Sequence, residues 1–296
     1  MTIGIDIGGT KIAAGRISPK GKISGFVKIP TEASKGKTRV LANIKKSIHL
    51  VMSENITAIG IGIAGQVDMK NGVFLGGPNL PKAFKNINLK KILEKEFGIP
   101  VVIDNDVHCI LLAEAELGVA RGKKSAVAVA LGTGIGGAIV KNGKILHGEQ
   151  NTAGEIGHME VGGNAICTCK KHGHVEAYAG GRAMSLRYKK LTKKSIDLRE
   201  LENLYKKGGV VAVKIIDEAS SALATGLTNI LVMVNPECLV LGGGLANFKE
   251  YIKLTQKKMV PILPFKRLQK TPILHAKLGR DAGLIGAGLL AMNEIR

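Results

Sequence analysis

The sequence predicts an α/β protein made of two similar domains, and three observations carry that expectation. Its 39 glycines gather behind short apolar runs, at 4–9, 60–65, 132–137 and 242–244, with a further group at 279–288. A strand, a Gly-rich turn and a returning strand occur at 2–18 and again at 126–141. Helical patterns lie between these blocks, and no low-complexity linker separates them.

The elements follow in order. Thr2 to Asp6 alternates as a strand, Gly8-Gly9-Thr10 turns, and Lys11 to Ser18 returns. Pro19-Lys20-Gly21-Lys22 makes the next turn, into a third strand that runs through Ile29 and stops at Pro30. Ser34 to Ser53 and Leu89 to Phe97 are amphipathic, Lys-rich helices, with a strand at Ile59/Ile61/Ile63 between them. Val101-Val102-Ile103 leads into an apolar helix from Asp106 to Leu117, with Asp106 at the N-cap position and Gly118 just past the end. Ala126 to Leu131 and Ile135 to Lys141 flank Gly132-Thr133-Gly134, and Asn142-Gly143 signals a type I′ hairpin into Lys144 to Leu146. Val211 to Val234 is a long helix stopped by Pro236, then comes a strand at Leu239-Val240-Leu241. Gly279 to Asn293 closes the chain as a small-residue helix. A break near 104–107 and a return near 278–280 divide the chain into 1–106 plus 279–296 and 107–278.

Composition excludes several classes. At 296 residues and 45% hydrophobic the chain can bury one or two cores, so disorder is excluded. No apolar run approaches the roughly 18 residues of a membrane span, and the N-terminus lacks the charged start of a signal peptide. Four cysteines are too few for a disulfide scaffold. A cytoplasmic protein without a membrane partner is the expectation. The 43 Lys+Arg against 23 Asp+Glu give a net charge of +20, which raises the question of nucleic acid. The lysines are scattered in pairs, aromatics are 3% and Trp is absent, so no stacking platform exists and no nucleic-acid partner is expected. The excess charge reads as solvated surface that also favours anionic substrates.

Four segments carry chemistry. Asp6-Ile7-Gly8-Gly9-Thr10-Lys11 sets an acid at a strand end before a Gly turn, where backbone N–H groups can wrap a phosphate and the acid can hold hydrated Mg²⁺. It is neither a P-loop nor a dinucleotide fingerprint. Gly132-Thr133-Gly134 can cradle a second phosphate region. Asp104-Asn105-Asp106 stands at a strand-to-helix junction, where an Asp can accept a hydroxyl proton and the Asn can donate to another hydroxyl. Glu155 and His158, then Cys167-Thr168-Cys169, then His172, His174 and Glu176 form the densest ligand cluster, and one His, two Cys and a second His can close a tetrahedral zinc site. His172 and His174 compete for the last position. Cys109 and Cys238 read as core.

Together these motifs resemble the ROK family of sugar kinases over essentially the whole chain. DIGGTK at 6–11, GIGIAGQVD at 60–68, PNLP at 78–81, DND at 104–106, LGTGIGGAIVKNGKILHG at 131–148, AGEIGHMEV at 153–161 and LVLGGGLA at 239–246 occur in the family's order and spacing, with Ala64 where the family has Pro. The resemblance implies two actin-like (ribonuclease H-like) ATPase domains with a cleft between them. It implies ATP- and Mg²⁺-dependent phosphorylation of the terminal primary hydroxyl of a hexose or N-acetylhexosamine. Asp106 matches the general base. Gly65, Asn79, Asn105, Glu155, His158 and Glu176 match sugar-binding positions. Asp6, Gly8, Gly9, Thr10, Lys11, Gly132, Thr133, Gly134, Gly242, Gly243 and Gly244 match nucleotide and phosphate positions. A homodimer is the family-based expectation.

One motif departs from the family. Its zinc sequence is C-x-C-G-x-x-G-C-x-E after a His; here Cys167, Cys169, Gly173 and Glu176 keep register, but Lys170 replaces the Gly and His174 the third Cys. His158, Cys167, Cys169 and His174 are therefore the expected ligands of a structural Zn²⁺ that orders the loop carrying His158 and Glu176. Some family members are sugar-responsive regulators with an N-terminal helix-turn-helix. With the first phosphate motif at Asp6 no room for one is expected, leaving a sugar-binding regulator without kinase activity as the alternative.

Overall fold

The computed structural model describes residues 1–295; residue 296, the last of the expected first domain, lies outside the described residues. The chain opens with three strands, β1 (Thr2–Ile7), β2 (Lys11–Ile17) and β3 (Ile23–Pro30), paired antiparallel in succession. Helix α1 (Lys37–Val51) leads to β4 (Ala58–Ile63), which pairs parallel to β1. A small antiparallel sheet of β5 (Gln66–Asp68), β6 (Val73–Gly76) and β7 (Ile87–Asn88) follows, then α2 (Leu89–Phe97). Strand β8 (Val101–Asn105) pairs parallel to β4 and runs straight into α3 (Asp106–Glu116). The sheet order is β3-β2-β1-β4-β8.

The second half repeats this plan. It contains β9 (Ser125–Leu131), β10 (Ile135–Lys141) and β11 (Lys144–Ile145), then helices α4 (Val175–Ala179), α5 (Gly181–Thr192), α6 (Leu198–Lys206) and α7 (Val210–Val234). Strand β12 (Cys238–Gly242), helix α8 (Lys249–Met259) and strand β13 (Ile273–His275) follow. The order β11-β10-β9-β12-β13 matches the first sheet strand for strand, with β9, β12 and β13 parallel. Asn142 and Gly143 have φ of 53° and 75°, the two positive values a type I′ turn between β10 and β11 requires. Helix α7 packs on α4, α5, α6 and α8.

The last helix, α9 (Ala282–Glu294), returns to the first sheet. The reason lies in the alternation of β1 and β4. Their isoleucines, Ile3, Ile5, Ile7, Ile59, Ile61 and Ile63, are fully buried and share one core with Val40, Ile44 and Ile48 of α1. Gly4, Gly60 and Gly62 stand between them, and a Cβ on Gly4 or Gly60 would collide with the Leu284 or Ala287 carbonyl of α9. A glycine face thus admits a helix backbone, while the isoleucine face builds the core.

The chain packs as two compact units: Met1–Lys124, Ile139–Ala153 and Ala276–Arg296 in the first, Ser125–Ala138 and Gly154–His275 in the second. This differs from the expected boundary at 106/107. Helix α3 groups with the first unit because it packs along α9, sharing Cys109, Leu112 and Ala113 with Leu284, Ile285 and Leu289. Helices α5, α6 and α8 go beyond the elements expected from the sequence; α6 carries Leu198, Leu201 and Tyr205 at helical spacing and buries Leu201 alone among its residues. No helix of the described residues is long and apolar enough to cross a membrane.

Candidate active site and metal cluster

In the first unit, parallel pairing brings three strand ends to one edge. Asp6 stands opposite Gly62, and Gly62 opposite Asp104. The turn after β1 closes through the Gly8 N–H, which donates to the Lys11 carbonyl at 3.0 Å. Buried Thr31 anchors it, donating its hydroxyl to the Gly8 carbonyl at 2.6 Å and its N–H to the Thr10 carbonyl at 3.0 Å. Thr10 and Lys11 are exposed. Asn79 packs directly on Gly9, where a Cβ would lie 2.7 Å from the Asn79 carbonyl oxygen. The Asn105 amide donates to the Gly65 carbonyl at 2.9 Å, so Gly8, Gly9, Gly65, Asn79 and Asn105 gather around the strand ends.

The helix cap corrects one expectation. Asn105, not Asp106, is the N-cap of α3: its Oδ1 accepts the Val107 N–H at 2.8 Å. An Asn side chain one residue earlier reaches that N–H with the geometry a cap needs. Asp106 is the first helical residue, part-exposed, in the turn where the helix dipole favours a carboxylate. Burial, and then the Asp106 charge, push the Asp6 carboxyl up to about 6, with Lys11 and Lys28 opposing. Two carboxylates that repel each other beside a phosphate-type turn suit a divalent cation, so Asp6 fits a Mg²⁺ role.

The two aspartates of 104–106 differ sharply. Asp104 is buried, and its Oδ1 accepts from the Asn105 N–H at 2.7 Å and from His108 Nδ1 at 2.8 Å. Its Oδ2 accepts from His147 Nε2 at 2.7 Å. Burial raises the Asp104 carboxyl, but the hydrogen bonds and charges of the two imidazoles outweigh it and hold the group at about 2. Neither histidine was singled out in the sequence. His108 carried a usable signal: a His four residues after an Asp, on the apolar face of a helix, must find a buried partner. His147 carried none, since 39 residues separate it from His108.

In the second unit, Gly242 pairs opposite Ala130, so the turns after β9 and β12 lie side by side. Gly132-Thr133-Gly134 closes with the Gly132 N–H on the Gly134 carbonyl at 3.0 Å. The Gly132 and Thr133 carbonyls accept the first N–H groups of α5, from Gly181 and Arg182, at 3.0 and 2.9 Å. A Cβ on Gly243 would crowd the Leu131 backbone, whereas Gly244 faces open space. Glu176 sits against Gly134: its Oε2 accepts the Ile135 N–H at 2.9 Å, and its Oε1 accepts the Thr168 hydroxyl at 2.5 Å.

His158, Cys167, Cys169 and His174 converge, with one ligand atom from each within 4.8 Å of all the others. Cys167 Sγ lies 3.5 Å from His158 Nδ1, and Cys169 Sγ 3.3 Å from His174 Nδ1. Zn–S and Zn–N bonds at a tetrahedral angle put S and N about 3.5 Å apart, so these residues fit a zinc ion. His172 points elsewhere, with its Nδ1 3.2 Å from the Asn164 carbonyl. Lys170, in the family's Gly position, takes φ of 69°, the conformation glycine adopts freely. Glu155 is half-buried just before His158. Cys109 and Cys238 are buried, as core cysteines should be.

Comparisons with known proteins bear on the family and the fold. The model of the ROK family matches residues 2–294. The glucokinase of Thermotoga maritima is 32% identical over 99% of this chain and 98% of its own. The N-acetyl-D-glucosamine kinase of Photobacterium profundum is 32% identical over 99% of this chain and 100% of its own. The crystal structure of a ROK family glucokinase from Streptomyces griseus in complex with glucose and AMPPNP has 29% identity and a TM-score of 0.83, covering 99% of each chain. With the doubled five-stranded sheet, the glycine turns and whole-length coverage in agreement, this chain belongs to the ROK family and has its actin-like, ribonuclease H-like fold.

Proposed function

We propose that the protein is a kinase that transfers the γ-phosphoryl group of ATP to the terminal primary hydroxyl of a hexose or N-acetylhexosamine. The observation that carries this reading is the contrast between Asp104 and Asp106. Asp104 is buried with both carboxylate oxygens held by imidazoles, whereas Asp106, whose Oδ1 accepts the Val107 N–H at 3.0 Å, is part-exposed beside Asn105 at the start of α3. Asp106 takes the hydroxyl proton as the sugar oxygen bonds to the γ-phosphorus, and the bond to the bridging oxygen breaks to release ADP. Gly65, Asn79, Asn105, Glu155, His158 and Glu176 bind and orient the sugar.

Gly8 to Lys11, Gly132 to Gly134 and Gly242 to Gly244 bind the nucleotide. Mg²⁺ held through Asp6 would supply charge neutralisation on the triphosphate. Zn²⁺ held by His158, Cys167, Cys169 and His174 would supply structure, leaving the His158 Nε2 edge to the sugar. A homodimer in the cytoplasm belongs to the same reading.

The test is coupled ADP release across a panel of hexoses and N-acetylhexosamines, with Asp106→Asn alongside. ADP release that depends on one of these sugars and collapses in Asp106→Asn is expected. Turnover on none of them, or undiminished turnover in Asp106→Asn, overturns the mechanism; sugar binding without turnover would favour the regulator.

A further inference from the structure

Asp104, His108 and His147 form a cluster that the proposed chemistry does not use. Asp104 lies near the end of β8, His108 lies in the first turn of α3, and His147 follows β11; their side chains are 3%, 6% and 22% exposed. Such a trio is either a metal site or a hydrogen-bonded clamp. Around a tetrahedral ion, an imidazole nitrogen and a carboxylate oxygen stand about 3.3 Å apart, and a single oxygen faces both imidazoles. Here the N···O separations are 2.8 and 2.7 Å, and each imidazole addresses a different oxygen. Those are direct, charge-assisted hydrogen bonds. The cysteine cluster, with its wider spacings, is the opposite case.

The clamp brackets Asp106. Asp104 Oδ1 also accepts the Asn105 N–H, so one carboxylate fixes the peptide entering Asn105-Asp106. His108 ties the same carboxylate to the helix two residues beyond Asp106. His147 brings in a third segment, itself held by the Ala153 N–H on its carbonyl at 3.1 Å. A buried carboxylate that loses a donor is costly, which keeps the arrangement in one geometry. A general base misplaced by about 1 Å can lose up to about a hundredfold in rate.

We propose that Asp104, His108 and His147 are positioning residues for Asp106, a hydrogen-bonded clamp that sets the orientation of the base without contacting sugar or nucleotide. This rests on Asp106 being the base.

The test is a double-mutant cycle read by steady-state kinetics on the sugar that the wild type turns over. His147→Ala is the variant of choice because His147 is the most exposed of the three. Its expected effect is a fall in kcat of about tenfold, with the sugar KM changed by less than about twofold. His147→Gln, which keeps an N–H near the Nε2 position, should restore most of the rate. In an Asp106→Asn background, His147→Ala should change the residual rate by less than about twofold, because the group it positions is gone. Unchanged kcat in His147→Ala, or an equal proportional loss in the Asp106→Asn background, overturns the clamp. So does the loss of a metal ion from His147→Ala by elemental analysis, which would make the trio a metal site. Should His147→Ala fail to fold, His147→Asn, one methylene short of Asp104, replaces it in the same cycle. Full activity in Asp106→Asn would remove the base assignment and the clamp together. Inactive Asp106→Asn with fully active His147→Ala removes the clamp alone.

Discussion

Glu176 Oε2 accepts the backbone N–H of Ile135 at 2.9 Å, joining two points 41 residues apart. Its other oxygen accepts from Thr168, between the two cysteines, so one side chain links the Gly132–Gly134 turn to the cysteine loop. Glu176→Gln keeps an acceptor for Ile135, whereas Glu176→Ala strands that N–H at a cost of about 1–3 kcal/mol. The alanine variant should lower Tm by several degrees and reduce kcat/KM for sugar more than tenfold, on the order of a lost charged contact. Thermal melts and initial rates of the two variants check this; equal behaviour would remove Glu176 from the link.

Asp106→Asn should lower kcat by about 10²- to 10⁴-fold, the usual contribution of a general base. Tm should hold, since the N-cap acceptor is Asn105 and an asparagine side chain keeps the oxygen with which Asp106 accepts the Val107 N–H at 3.0 Å. Coupled ADP release and a melt of the same sample separate the two effects.

Zinc should be present at one per chain and disappear in Cys167→Ser or His174→Ala. Because the ion would hold Cys167 and Cys169 to His158 and His174, its loss should lower Tm and raise the sugar KM more than it lowers kcat. Elemental analysis with kinetics before and after chelation tests it. Retained metal in both variants would reject the cluster.

Lys170 sits at φ of 69°, a conformation that costs a non-glycine residue about 1 kcal/mol. Lys170→Gly should therefore stabilise by about 0.5 kcal/mol after the added freedom of the unfolded chain is counted. A rise of about 1–2 °C in Tm is expected, and a fall would show that the lysine side chain contributes more than its backbone strain removes.

Asp104 ties stability to acid pH. Its folded carboxyl is held at about 2 against an ordinary 3.8, so it contributes stability above the ordinary value that is lost as pH falls from about 4 to 2. The shift corresponds to about 2 kcal/mol. Denaturant unfolding from pH 6 to 2.5 should show this limb, and Asp104→Asn should flatten it.

Much of the site was legible because turn chemistry is local. Gly8-Gly9, Gly132 to Gly134 and Asn142-Gly143 announce their turns by residue type. The cysteine cluster was legible because Cys167, Cys169 and His174 lie within eight residues. The N-cap was misplaced by one residue because Asn105 and Asp106 can both cap, and only the exit direction of β8 chooses between them.

What the sequence by itself determined is the list of parts: two strand-and-turn repeats, the glycine turns, the aspartates at 104–106 and the Cys/His cluster. Tertiary structure alone decided which parts meet. It sent α3 to α9 instead of the second unit, because the glycine face of β1 and β4 admits that helix. It turned His172 toward Asn164 and His174 toward Cys169. It gave Asp104 two imidazoles, one from a segment 43 residues away, and left Asp106 part-exposed. A residue's type sets which bonds it can make, but partners distant in sequence are chosen by packing, which no local pattern encodes.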